Sequence, residues 1–237
     1  MLAEPRVPTG RRVYAIGDIH GRADLLERLL ERIDADAARS GATDRVIVYL
    51  GDYVDRGPAS TLVLETVLAG RPGFATVPLL GNHERLMLDA LDEAPGAIEQ
   101  WLRNGAAATF RSYGIDVETE IDPTRALRRR LSPAHRRLLD GLRLSHLEGD
   151  YLFVHAGVDP GRPWDGQRPD DLIWIRDQFL ESDVDFGKIV VHGHTISPLV
   201  VEKPNRIGID TGAYFSGCLT ALVLEGGARR FLQTRGE

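Results

Sequence analysis

Five short apolar runs recur along the chain, and each ends in a small residue followed by polar side chains. They are Val13 to Ile16 before GDIHG, Val46 to Leu50 before GDYVDRG, Val77 to Leu80 before GNHE, Tyr151 to Val154 before HAG, and Ile189 to Val191 before HGHT. Runs of this length, rich in Val and Ile and bounded by Gly, predict strands buried on both faces, since a half-exposed strand would alternate apolar with polar. The polar clusters then sit at strand ends. Between the first two runs Leu25, Leu26, Leu29, Leu30 and Ile33 recur at helical spacing, and Pro58 to Leu68 predicts a second helix opened by proline. A strand, helix, strand, helix, strand series favours a sheet with helices on its faces and reactive groups at the carboxyl edge. From Glu84 to Gly141 the pattern turns helical and arginine-rich, after which short strands dominate to Leu232. The 237 residues therefore read as one α/β domain spanning 1–237, with a helical excursion over the site at about 84–141.

Charge narrows the function classes. With 29 Lys+Arg against 35 Asp+Glu the net charge is −6, which argues against a nucleic-acid or anionic-membrane partner. No run of about 18 apolar residues exists, and the opening MLAEPRVPTGRR has no apolar core of the kind a signal peptide requires, so the expectation is a soluble cytoplasmic protein. A lone cysteine, Cys218, makes no internal disulfide and lacks an arginine at the spacing by which a cysteine phosphatase cradles phosphate.

Five of the seven histidines (His20, His83, His155, His192 and His194) fall in the strand-end clusters, beside Asp18, Asp52, Asp55 and Asn82. One such residue at one strand end is more often a turn or core residue than a ligand. Convergence of several points instead to a metal centre. Nitrogen and oxygen donors suit Mn, Fe, Zn or Ni and disfavour a thiolate-bound structural zinc. Two cations roughly 3.5 to 4 Å apart need a bridging carboxylate with separate ligands on each side, and the clusters supply enough of both. HExxH, GxxxxGK[ST] and GxSxG are all missing, so the chemistry read from the residues is metal-activated water with no covalent enzyme intermediate.

GDIHG at 17–21, GDYVDRG at 51–57 and GNHE at 81–84, followed by a strand-end HAG and a GHT, resemble the phosphoprotein phosphatase branch of the calcineurin-like metallophosphoesterases. NGAAATFRSYG at 104–114 and LIWIRDQF at 172–179 look like the small bacterial serine/threonine phosphatases and their relatives, the diadenosine polyphosphate hydrolases. The resemblance implies a central β-sandwich flanked by helices with a dinuclear site at one edge, and two divalent ions, Mn²⁺ foremost. Asp18 and His20 would hold one ion, Asp52 would bridge, and Asn82, His155 and His194 would hold the other. His83 would stay unligated and protonate the leaving oxygen, oriented by Asp55. Such a pairing fixes the imidazole tautomer and favours the protonated acid. Arg56 and Arg176 would clamp the phosphate, a task suited to a planar bidentate donor.

Blander readings stand beside these. Arg56 is alternatively a surface partner of Asp55, and Arg176, in an apparent helix, a solvated ion pair. His192, which along a strand would point the same way as His194, is expected behind the ligands. His135 and His146 lie outside every cluster, and Arg125 to Arg137 reads as a solvated helix face rather than a substrate groove. Where the eukaryotic enzymes carry an SAPNY-type loop, this chain reads GIDTGAYFSGCLTAL. The expected function is a serine/threonine protein phosphatase acting on phosphoprotein or phosphopeptide, with symmetrical diadenosine tetraphosphate hydrolysis as the alternative. The latter must bind two bases, and aromatics make up 7% of the chain with none placed as an evident stacking platform. A flexible rim is expected from Gly157 to Asp171.

Overall fold

The computed structural model describes residues 4–234. Two five-stranded sheets face one another. The first runs β10(Ala228–Gln233), β9(Thr220–Glu225), β1(Arg11–Ile16), β2(Asp44–Tyr49), β3(Ala75–Pro78), and the second runs β4(Ser145–Glu148), β5(Tyr151–Val154), β6(Ile189–His192), β8(Arg206–Gly208), β7(Val201–Glu202). The pairs β1–β2, β2–β3, β5–β6 and β6–β8 are parallel. Their carboxyl ends carry the polar clusters, as expected for an open α/β sheet.

Alternation of side chains explains why the strand runs are apolar throughout. Val13, Ala15, Val46, Val48, Leu222 and Leu224 pack between the sheets against Tyr151, Phe153, Ile189, Val191 and Ile207. Their neighbours Tyr14, Ile16, Ile47, Tyr49, Leu152, Val154 and Val190 point outward into a second core shared with the helices. Every position is therefore covered. Helix α1(Ala23–Ala37) buries Leu25, Leu26, Leu29, Leu30 and Ile33 as its spacing predicted. Helix α2(Ser60–Ala69) starts two residues later than expected. Pro58 lies in a turn, because Ala59 N donates to Gly21 O, and a Cβ on Gly57 would meet His20 O at 2.0 Å.

The middle of the chain is helical: α3(Asn82–Leu91), α4(Ala97–Arg103), α5(Ala106–Ser112), α6(Pro123–Arg130) and α7(Pro133–Asp140). Its arginines make local bonds, Arg128 to Leu91 O at 2.6 Å and Arg136 to Asp140 at 2.9 Å. His135 bonds Tyr113 Oη and His146 bonds Glu148, both away from the strand-end clusters. Two short helices, α8(Pro169–Trp174) and α9(Asp177–Leu180), precede β6, and α10(Ala213–Ser216) precedes β9. Residues 157–171 are tied down rather than loose, with Gln167 donating to the carbonyls of Asp159 and Arg162 and accepting from Asp159 N. Among the described residues no helix is long and apolar enough to cross a membrane.

Candidate metal centre and active site

The loops after β1, β2, β3, β5 and β6 converge, and their backbones are strained where they do. Among the described residues six non-glycine positions have positive φ, and five of them are site candidates: His20, Asp52, Asp55, Arg56 and His194. Such conformations cost energy and persist where surrounding bonds enforce them. Glu84 is one enforcer. Fully buried, its carboxylate accepts from the backbone N–H of Asp52, Tyr53 and Val54 and from Gly81. Burial and the nearby Asp52 push its carboxyl up to about 8.

Asp52 lies at the centre. Its Oδ2 is 3.4 Å from His20 Nε2, and its Oδ1 is 3.4 Å from His155 Nε2. The ring orientations are fixed from behind: His20 Nδ1 bonds Val54 O and His155 Nδ1 bonds Leu50 O, each at 2.9 Å, so both Nε2 atoms point inward. Asn82 Oδ1 lies 2.9 Å from both His155 Nε2 and His194 Nδ1. Two groups result whose donor atoms lie within 4.8 Å of one another, His20 with Asp52 and His83, and Asp52 with His155 and His194. Asp18 stands beside these groups, its Oδ2 accepting from His194 N at 2.9 Å.

The donors fit divalent cations. Asp18 Oδ1 is buried without a hydrogen-bond partner, a costly arrangement that a ligated ion relieves. Burial raises the Asp18 carboxyl well above its usual range, helped by Asp210 and Asp52, and pushes Asp210 up to about 6. Burial lowers His20 to about 3 and His194 to about 2, and lowers His155 as well, so these rings are neutral donors at physiological pH. A positive charge already stands among them. The Arg56 guanidinium lies 2.8 Å from His20 Nε2 and 3.0 Å from His83 Nε2, over the Tyr214 ring.

His83 behaves differently from the other three rings. Its Nδ1 bonds Asp55 Oδ2 at 2.7 Å, and although burial alone would lower it, Asp52 and Asp55 raise it. Arg176 is not inside a helix. It occupies the break between α8 and α9, from which its Nη1 reaches Thr195 Oγ1 at 3.2 Å and His194 O at 3.4 Å. His192 is the last residue of β6, whereas His194 lies beyond the strand in a left-handed turn, so the two rings do not share a direction. His192 packs edge-on against Phe179 and bonds none of the ligand candidates.

Other participants were not read from the sequence. Asp210 follows the apolar run Ile207 to Ile209 at the end of β8, the same pattern that marked the other loops, and it faces Asp18. Tyr214 sits edge-on to His20 and Trp174 edge-on to His194, so aromatic rings flank the centre on two sides despite their low overall content.

The calcineurin-like phosphoesterase family matches residues 11–217, which takes in every one of these loops. The chain belongs to that family. Among its relatives is the symmetrical bis(5'-nucleosyl)-tetraphosphatase of Dechloromonas aromatica, 35% identical over 162 residues, which are 67% of this chain and 48% of that protein. The chain thus spans about half the length of that calcineurin-like relative. Serine/threonine-protein phosphatase 2 of Salmonella typhimurium is 30% identical over 220 residues, 89% of this chain and 91% of that one. The protein-tyrosine phosphatase of a Shewanella species shares the fold, with a TM-score of 0.61 at 17% identity over 96% of this chain and 83% of the other. As in a calcineurin-like phosphoesterase domain, His and Asp residues of the chain are positioned for a metal site.

Proposed function

We propose that the protein is a metal-dependent serine/threonine protein phosphatase. The observation that carries the chemistry is the division among the four imidazoles around Asp52: His20, His155 and His194 are pushed down as neutral donors, while His83, whose Nδ1 bonds Asp55 Oδ2 at 2.7 Å, is held up. Metal-assisted hydrolysis with general-acid help uses both kinds. In this reading Asp18 and His20 hold one divalent cation, Asn82, His155 and His194 hold the other, and Asp52 serves both. When bound, the pair activates water and neutralises phosphate charge. His83 Nε2 delivers its proton to the departing oxygen while Asp55 keeps Nδ1 occupied, and Arg56 and Arg176 receive phosphate oxygens.

Two further features favour a protein substrate. Similarity to phosphatase 2 extends over 91% of that relative's length. Beside the His194 loop, the exposed side chains of Ile196, Leu199 and Phe215 line a cavity of about 540 Å³, open enough for an apolar side chain of an extended peptide. A second reading, symmetrical diadenosine tetraphosphate hydrolysis, draws on Tyr214 and Trp174, which offer one ring on each side of the centre. Side-by-side rates on a phosphoserine peptide and on diadenosine tetraphosphate with Mn²⁺ decide the matter. A higher kcat/KM on the peptide is expected, and the reverse order, lost in Trp174→Ala or Tyr214→Ala, makes the dinucleotide the substrate.

A further inference from the structure

Asp55 is fully buried, and among the described residues its only ion-pair partner is His83. Its remaining side-chain bonds come from the helical middle of the chain, while its backbone N–H also lies 3.2 Å from Ser60 Oγ in α2. Trp101, in α4 and fully buried, donates Nε1–H to Asp55 Oδ2 at 2.8 Å, the same oxygen that His83 Nδ1 reaches. Thr109, in α5 and fully buried, donates to Oδ1 at 2.6 Å and accepts from Asp55 N at 2.8 Å. Gly105, between the helices, accepts from Arg56 N through its carbonyl, and a Cβ there would press on Arg56 Cγ at 3.0 Å.

We propose that Trp101 and Thr109 are positioning residues for the His83–Asp55 pair, so that α4 and α5 brace the reacting groups instead of covering the site. A carboxylate held by His83 alone can rotate about its Cβ–Cγ bond and swing the imidazole with it. Donors on both oxygens stop that rotation, and the hydroxyl that holds Oδ1 also supports the left-handed backbone of Asp55 at φ +72°. The direction of His83 Nε2, and with it proton delivery, is therefore set by an indole and a hydroxyl that touch neither substrate nor metal.

The inference rests on His83 acting as the general acid, and the test separates the two. Rates on p-nitrophenyl phosphate, whose leaving group departs without a proton, are compared with rates on phosphoserine, whose leaving group needs one. Trp101→Phe keeps the ring and removes only the donor. It is expected to lower kcat on phosphoserine about tenfold, a fraction of the ~10² to 10⁴ that a general acid contributes. The aryl rate should change less than about twofold, with KM and bound metal unchanged. Thr109→Val should move the same way and Thr109→Ser should restore the rate, which keeps the test open if Trp101→Phe does not fold. Equal losses on both substrates, or none, overturn the inference. In His83→Asn, a selective loss on phosphoserine without one in Trp101→Phe or Thr109→Val defeats the positioning role alone, whereas equal losses in His83→Asn remove the acid assignment and the inference with it.

Discussion

At the ends of β1 and β2 the chain presents Asp18, Asp52 and Asp55 on backbone that is left-handed at His20, Asp52, Asp55 and Arg56, and after β3 it presents Asn82 and His83. The ends of β5 and β6 present His155 and His194, and only His194 is left-handed. The first edge thus carries three acids, against Asp210 on the second, and most of the strain, and its loops need outside support from Glu84 and from α4 and α5. At the second edge the donors are neutral rings, His155 in direct continuation of its strand and His194 two residues beyond, and Asn82 joins them through one amide oxygen. One edge is therefore suited to anion and proton chemistry and the other to passive ligation. Asp52 is where they meet, since its two oxygens face opposite edges.

Removing that meeting point should do the most damage. Asp52→Asn is expected to abolish turnover, well beyond the ~10² that losing an outer-shell partner costs, and to lower bound metal at both edges. Metal analysis of the purified variant checks this, and two full equivalents of tightly held metal would sink the shared role. A lesion confined to the proton chemistry of the first edge should leave the metals in place. His83→Asn should slow hydrolysis of an alkyl phosphate by about 10² to 10⁴ and an aryl phosphate by much less.

The electrostatic contrast between carboxyls and imidazoles, which crosses both edges, is readable by titration. Asp18 and Asp210 have folded-state carboxyls raised above their unfolded values, so they hold protons that a cation must displace, whereas the lowered His20, His155 and His194 compete little at neutral pH. Apparent Mn²⁺ affinity should therefore climb as pH rises from 5 towards 7, by up to about tenfold per unit for each proton released. Without metal the sign reverses for the acids: their stabilising protonation, complete below the unfolded value, is lost as pH rises through the folded one. The increase in Tm on adding Mn²⁺ should accordingly be larger at pH 7 than at pH 5, and an increase independent of pH would contradict the carboxylate assignment.

On the second edge, Arg176→Ala should reduce kcat/KM by about tenfold, the order expected for a lost charge-assisted bond, with metal content intact. Arg176→Lys should rescue it only in part, and unchanged kinetics would leave Arg176 as a partner of Thr195 alone. The smallest effect is expected at Trp164, which packs against the core in a short 3₁₀ turn. Trp164→Ala should alter phosphopeptide rates less than about twofold, measured beside Trp174→Ala.

The strand ends were legible because a strand covered on both faces has to be apolar throughout, which makes its first polar residue conspicuous. That logic singles out Asp18, Asp52, Asn82, His155 and the His192–His194 segment, and applied once more it reaches Asp210 after Ile209. It misplaced Pro58, whose turn is held by the distant Gly21, and it put Arg176 within a helix, because the break between α8 and α9 leaves no mark in LIWIRDQF. It also gave His192 and His194 a shared direction, a consequence of assuming extended backbone where Gly193 permits a close approach to Asp18.

The sequence by itself determined that several metal-binding side chains stand at buried strand ends, since periodicity and burial act over neighbouring residues. Tertiary structure decided what each ring meets. His20, His83 and His155 sit in similar strand-end motifs, yet only His83 meets a second carboxylate, and that carboxylate is fixed by Trp101 and Thr109, 46 and 54 residues further along the chain. Charge and hydrogen bonding act through space in a low-dielectric interior, so the basicity of a buried imidazole follows from neighbours that local pattern does not reveal.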